Sequence, residues 1–86
     1  MSSFNKYFYQ NVGKKIRKYR TERGLTQEKL SEMLNLNLKY IGHVERFERK
    51  ISNSTLIKLM ELWQIQPEDF FKFNNKYNWE NEKNKD

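Results

Sequence analysis

The chain has no cysteine, one proline, three glycines and a single histidine in 86 residues. Without thiols there are no disulfides and no thiolate metal sites, so the core is built from ordinary side chains, as suits a reducing cytoplasm. Catalysis is not expected either. The lone histidine, His43, stands apart from any nucleophile, and the acidic residues form no pair beside a nucleophile or a phosphate-binding loop. No cofactor and no metal are implied. No apolar run approaches the roughly 18 residues that a membrane span needs. The opening MSSFNKYFYQ also lacks the continuous apolar segment of a secretory signal. A cytoplasmic chain of one domain is therefore expected, with no membrane partner. A domain this small buries a modest share of its surface, so a second copy would add to its stability.

What the chain does have is positive charge, and it is unevenly placed. Residues 1–24 carry seven Lys or Arg against one Glu, residues 25–73 carry seven against seven acids, and residues 74–86 three against three. The whole net charge of +6 thus arises in the first segment, largely from Lys14, Lys15, Arg17, Lys18, Arg20 and Arg23. Such a field suits a polyanion at low salt, and a solvated helix face explains it too.

Apolar spacing then gives the elements. Leu25, Leu30, Leu34, Leu36, Ile41 and Val44 recur at helical intervals within LTQEKLSEMLNLNLKYIGHVER. Thr26 is placed to cap the first helix of this stretch, although Lys29 stands where a capping box would have an acid. Asn35 tolerates the left-handed conformation that ends a helix, and Asn37 is placed to cap the next one. The result is two short helices joined by a tight turn. That describes a DNA-binding helix-turn-helix, and on geometry alone it describes another small helical packing equally well.

Around this pair, a first helix from about Gln10 to Glu22 places Val12, Ile16 and Tyr19 on one side and ends at Gly24. A fourth helix, capped by Ser52 or Ser54, runs to about Trp63 with Leu56, Leu59, Met60 and Trp63 on one stripe. Pro67 opens a fifth, where Glu68 and Asp69 complement the positive helix start. The expected organisation is a lead at 1–9, either ordered or a flexible arm, a helical domain at 10–73 and a polar tail at 74–86. Tyr77 and Trp79 anchor the first part of that tail, and disorder is expected beyond Trp79.

Read from Ile16 to Phe71, the segments IRKYR, GLTQEKLSEMLNL, NLKYIGHVER and STLIKLMELWQIQPEDFF resemble the Cro/C1-type, XRE-like helix-turn-helix family of phage repressors and bacterial regulators. The most specific pieces are Gly24-Leu25-Thr26-Gln27, Tyr40-Ile41 and Glu45-Arg46. The resemblance implies an all-α fold, a compact five-helix bundle of the lambda-repressor-like DNA-binding type. It further implies a transcriptional regulator that binds double-stranded DNA at a (pseudo)palindromic operator as a homodimer. Short length and the Ile51-Ser52 segment after Arg49-Lys50 resemble restriction-modification controller proteins, which regulate their own operon. A small phage or mobile-element repressor is comparable. An antitoxin, with a toxin as protein partner, and a protein-only adaptor are the alternatives. An adaptor would not need helix 1, Gln27 and the loop after helix 3 to form one positive face around helix 3.

By the same resemblance, Leu38, Lys39 and His43 match positions that reach base edges in the major groove. Lysine can donate to guanine, leucine can meet a thymine methyl, and histidine can do either polar task. The outer face of helix 3 is taken as Leu38, Lys39, Gly42 and His43, with Ile41 and Val44 inward. Gln27 matches a phosphate-binding glutamine at a helix start. Asn37, Tyr40, Arg46, Arg49 and Lys50 are further phosphate donors, unless Tyr40 packs within the domain. Arg20 and Glu45 match a structural salt bridge between helices 1 and 3. Two positions depart from the family, since Phe47 and Gln64 stand where glycine is common. Phe47 is expected to lengthen helix 3 or redirect the loop. The aromatics Phe70, Phe71, Phe73, Tyr77 and Trp79 exceed what one thin helix needs. With Ile57 and Leu62 they are the candidate dimer interface, while Phe70 or Phe71 serves the core.

Overall fold

The computed structural model describes residues 2–80. Among them are five helices, α1 (Ser3–Glu22), α2 (Gln27–Met33), α3 (Tyr40–Glu45), α4 (Asn53–Trp63) and α5 (Pro67–Phe70), and no strand. The all-α expectation holds. Apart from Glu80, the tail expected to be disordered lies outside the described residues.

Hydroxyl side chains start three of the helices. Ser2, Thr26 and Ser52 each accept from the N–H three residues on, satisfying a donor that the first helical turn leaves without a carbonyl. Pro67 opens α5, where its missing N–H costs nothing.

The first four helices end alike. Gly24, Asn35, Phe47 and Gln64 take φ of 67°, 58°, 59° and 53°. Each donates its N–H to the third residue before it, and the following residue donates to the fifth before it: Leu25 to Arg20, Leu36 to Ser31, Glu48 to His43 and Ile65 to Met60. This is the Schellman arrangement, in which a left-handed residue turns the chain so that orphan carbonyls are met. Phe47 therefore does not lengthen α3, and the chain leaves the helix through the same turn as at the other three ends. Phe47 adopts the glycine conformation without being glycine, and Gln64 does the same after α4.

Val12, Ile16, Leu30, Ile41, Val44, Leu59 and Phe70 form the centre of the core, ringed by Leu34, Tyr40, Ile51 and Leu56. Polar bonds stitch it as well. The buried Ser31 hydroxyl accepts from the Ile41 N–H at 3.3 Å, tying α2 to the start of α3.

Two boundaries differ from the sequence reading. Helix α1 begins at Ser3, not near Gln10, because Phe4, Tyr7 and Phe8 lie on a stripe that packs on Phe71, Phe73, Tyr77 and Trp79. The Tyr7 hydroxyl adds a bond to the Asn75 carbonyl at 2.6 Å. Helix α3 begins at Tyr40, so Leu38 and Lys39 occupy a turn before it. Asn37 caps that turn: its Oδ1 accepts from the Lys39 N–H at 2.9 Å, and its carbonyl accepts from Tyr40.

Candidate nucleic-acid interface

The position of α3 is set by two contacts with α1. At Gly13 the backbones come so close that an added Cβ would stand 2.7 Å from the Val44 carbonyl oxygen, too close for any side chain. Further along, Arg20 Nε and Nη2 donate to Glu45 Oε2 and Oε1 at 2.6 and 2.9 Å, while Nη1 donates to the Leu25 carbonyl at 2.7 Å. The two side chains are 10% and 2% exposed, so this fork works in low dielectric, where charged hydrogen bonds are strong and a missing partner is costly. The bond to Glu45 raises the guanidinium pKa further, against the effect of burial.

Gln27 joins this network. Its Nε2 donates to Glu45 Oε1 at 2.9 Å, so the start of α2, the end of α3 and α1 meet at one carboxylate. Beneath Gln27, within α3, lies Gly42, which is buried, contrary to its expected place on the outer face. A Cβ there would come within 2.9 Å of Gln27 Oε1 and 3.1 Å of Arg46 Nη1. Gly42 is thus a bare floor on which two long side chains rest.

The remaining outward residues form the surface a duplex would meet. Leu38 is 54% exposed and Lys39 is exposed, both on the turn leading into α3, with His43 half-buried one turn on. Tyr40 is committed to the fold: it is buried, and its hydroxyl accepts from the Ser52 N–H at 3.1 Å. The ring thus packs within the domain, as the alternative reading has it. It also carries Arg49, whose guanidinium lies 4.7 Å from the centroid, and Tyr9 carries Lys50 at 5.4 Å. Cations held over aromatic faces lose some freedom before any ligand arrives. Tyr9, on the helical lead of α1, was not recognisable as part of this surface from sequence.

The basic residues of α1 divide. Lys14, Lys15 and Lys18 line a hollow of about 420 Å³ with Asn11, Phe73, Asn74 and Asn75. At 100° per residue Lys15 and Lys18 lie across the helix from Gly13 and Arg20, which meet α3. Lys14 also borders a hollow beside Glu45, Arg46 and Phe47. The single positive face around α3 is accordingly formed in part, with Lys14 contributing and Lys15 and Lys18 turned away.

Among the residues expected at a dimer contact, Ile57 and Leu62 stand 54% and 43% exposed on α4. Phe70 does not belong there. It has no exposed surface and stacks on Tyr19 inside the domain, because α5 is short and turns its one large ring inward. Phe71, Phe73 and Tyr77 are half-buried against the α1 aromatics, and Trp79 stacks on Phe4 while remaining well exposed. Among the described residues no group of acids and histidine is arranged to hold a metal ion, and no helix is long and apolar enough to cross a membrane.

A short second helix capped by threonine, a tight turn and a third helix clamped against α1 define a helix-turn-helix protein. The chain belongs to the helix-turn-helix family, whose model matches residues 16–70. It is 46% identical over 48 residues to Control protein C.SmaI of Serratia marcescens, a match covering 56% of this chain and 57% of that one. It is 34% identical over 58 residues to the HTH-type transcriptional regulator PrpR of Mycobacterium tuberculosis, covering 67% of this chain and 12% of that protein. RamB of the same organism, also an HTH-type transcriptional regulator, is 30% identical over 54 residues, 63% of this chain and 11% of its own. No solved structure gives a significant match. These relatives are named for control and transcription, and none for catalysis.

Proposed function

We propose that this chain is a sequence-specific DNA-binding transcriptional regulator that acts as a homodimer on a (pseudo)palindromic operator and regulates its own gene. The observation that carries the reading is α3 clamped by the Arg20–Glu45 fork, with Leu38, Lys39 and His43 outward beside the start of α2. A rigidly seated helix with a polar outer face suits major-groove reading. Leu38, Lys39 and His43 contact base edges, and Gln27, Asn37, Arg49 and Lys50 contact phosphates. The resemblance to restriction-modification controllers, together with a relative named a control protein, supports a controller of that kind.

Dimerisation follows from the geometry of operators. One such domain makes few base contacts, whereas two on a two-fold axis read half-sites about 34 Å apart. Exposed Ile57 borders a largely apolar hollow lined by Met60, Ile65 and Pro67, and exposed Leu62 borders a mixed one lined by Met33, Leu34, Asn35, Lys58 and Glu61. This α4 surface is the interface we assign, while Trp79 and the half-buried Phe71, Phe73 and Tyr77 are gathered with the α1 aromatics.

Duplexes selected from a random pool and scrambled controls, titrated at several salt concentrations, test the proposal. Lys39→Ala and His43→Ala should each cost about 1 to 3 kcal/mol on the selected duplex and relax preference at particular bases. Equal weak affinity of the unaltered protein for every duplex would refute the regulatory role, whatever its salt dependence. A monomer at the concentrations that saturate the operator would refute the dimer.

A further inference from the structure

The four Schellman turns differ at one residue. After Gly24, Asn35 and Gln64 the next side chains are Leu25, Leu36 and Ile65, each packed against the core as such turns favour. After Phe47 comes Glu48, an acid with a side chain 53% exposed on a surface otherwise rich in cations.

Its N–H is held to the His43 carbonyl at 2.7 Å, and its carboxylate turns back along α3. Oε2 accepts from Arg46 Nε at 3.3 Å, and Oε1 lies 3.3 Å from Arg46 Nη2 and 3.9 Å from His43 Nε2. The guanidinium it holds is folded over Gly42, where a Cβ would stand 3.1 Å from Nη1 and 3.4 Å from Nη2. Arg46 is therefore held from two sides, by a carboxylate along one edge and by bare helix backbone beneath.

A guanidinium has two bidentate edges. Glu48 takes the Nε–Nη2 edge, which leaves the Nη1–Nη2 edge for a second planar pair of acceptors. Guanine O6 and N7 form such a pair. An acid near phosphates costs affinity on every duplex, and an arginine tied to it is not free to follow the backbone. Both effects are offset only where the correct base meets the fork. Resting on the DNA-binding role proposed above, we propose that Arg46 reads a guanine in each half-site and that Glu48 is the positioning residue that reserves it for that base. The phosphate role first given to Arg46 is thereby replaced.

Glu48→Gln keeps the size of the side chain and removes its charge, and its unfolding midpoint should match that of the unaltered protein. With Arg46 released to a phosphate, affinity for scrambled duplex should rise on the order of tenfold, and the slope of log K against log salt should steepen by about 0.9. Preference for guanine at one position of the selected half-site should fall in Glu48→Gln and vanish in Arg46→Ala. In the Arg46→Ala background, Glu48→Gln should then act on every duplex alike, by removing an acid near phosphates, and leave base preference unchanged. If the unaltered protein discriminates while Glu48→Gln changes neither quantity, the role of Glu48 is overturned and the DNA-binding reading stands. If the unaltered protein binds selected and scrambled duplexes equally, the reading beneath it falls instead.

Discussion

Replacing Arg20 by methionine tests whether the clamp between α1 and α3 holds the domain together. Methionine fills much of the same space but removes three charged donations, two to Glu45 and one to the Leu25 carbonyl. Glu45 would remain 2% exposed with Gln27 Nε2 as its donor, so the cost is that of a buried carboxylate left without its cation, about 3 to 5 kcal/mol. At about 0.05 to 0.15 kcal/mol per residue, 86 residues give a total stability of about 4 to 13 kcal/mol. The substitution therefore removes a large share of it. With a urea m-value near 1 kcal/mol per molar for so small a domain, the midpoint should fall by about 3 M or more. Added salt should leave the loss largely intact, because a buried pair is weakly screened. Adding Glu45→Gln should restore part of the stability, since the unpaired charge is then gone, and the double-mutant cycle measures the coupling. A loss under about 1 kcal/mol, the range of exposed ion pairs, would refute the reasoning. So would a second substitution that simply adds to the first.

Three further outcomes follow from the geometry. Gln64→Gly should stabilise by about 0.5 to 1 kcal/mol in thermal unfolding, because the left-handed strain of an exposed side chain is relieved and the unfolded freedom of glycine takes back part of the gain. No gain would mean that the strain is absent. Gly13→Ala should cost about 1 to 3 kcal/mol or more by forcing α1 from the Val44 carbonyl, and it should weaken binding to selected duplex beyond its effect on folding. Unchanged stability would show that the two helices can part freely. Burial, then Lys18 and Lys72, hold the Lys15 ammonium below its usual 10.5 despite Asp69 and Glu22, so the unfolded chain binds more protons there. The contribution of Lys15 to stability should therefore rise as pH climbs from below its folded pKa towards 10.5, and Lys15→Met should flatten that rise in denaturant midpoints measured across the window.

Legibility followed the range of the forces. Thr26, Asn35, Ser52 and Pro67 act within four residues of themselves, and each does what its chemistry suggests. The start of α1 was missed because Phe4, Tyr7 and Phe8 are covered by residues from Phe71 onward, far along the chain. The exit of α3 was missed for the opposite reason. Phe47 has a poor propensity for the left-handed region, yet the two Schellman bonds and the contacts of Glu48 hold it there. Gly42 looked like an exposed gap in the recognition helix, and only the approach of Gln27 and Arg46 makes it a covered floor.

The sequence by itself determined that the chain is a small all-helical domain with a helix-turn-helix at its centre, because apolar period, caps and the family motif are written in neighbouring residues. Tertiary structure decided which charges face together. It added Gln27 to the Arg20–Glu45 pair that the family resemblance already implied, turned Lys15 and Lys18 away from α3, took Tyr40 and Phe70 into the core and brought Glu48 back onto Arg46. Those outcomes depend on how helices pack and how a turn is aimed, and, outside a family motif such as the Arg20–Glu45 pair, side chains that meet in space carry no mark of one another along the chain.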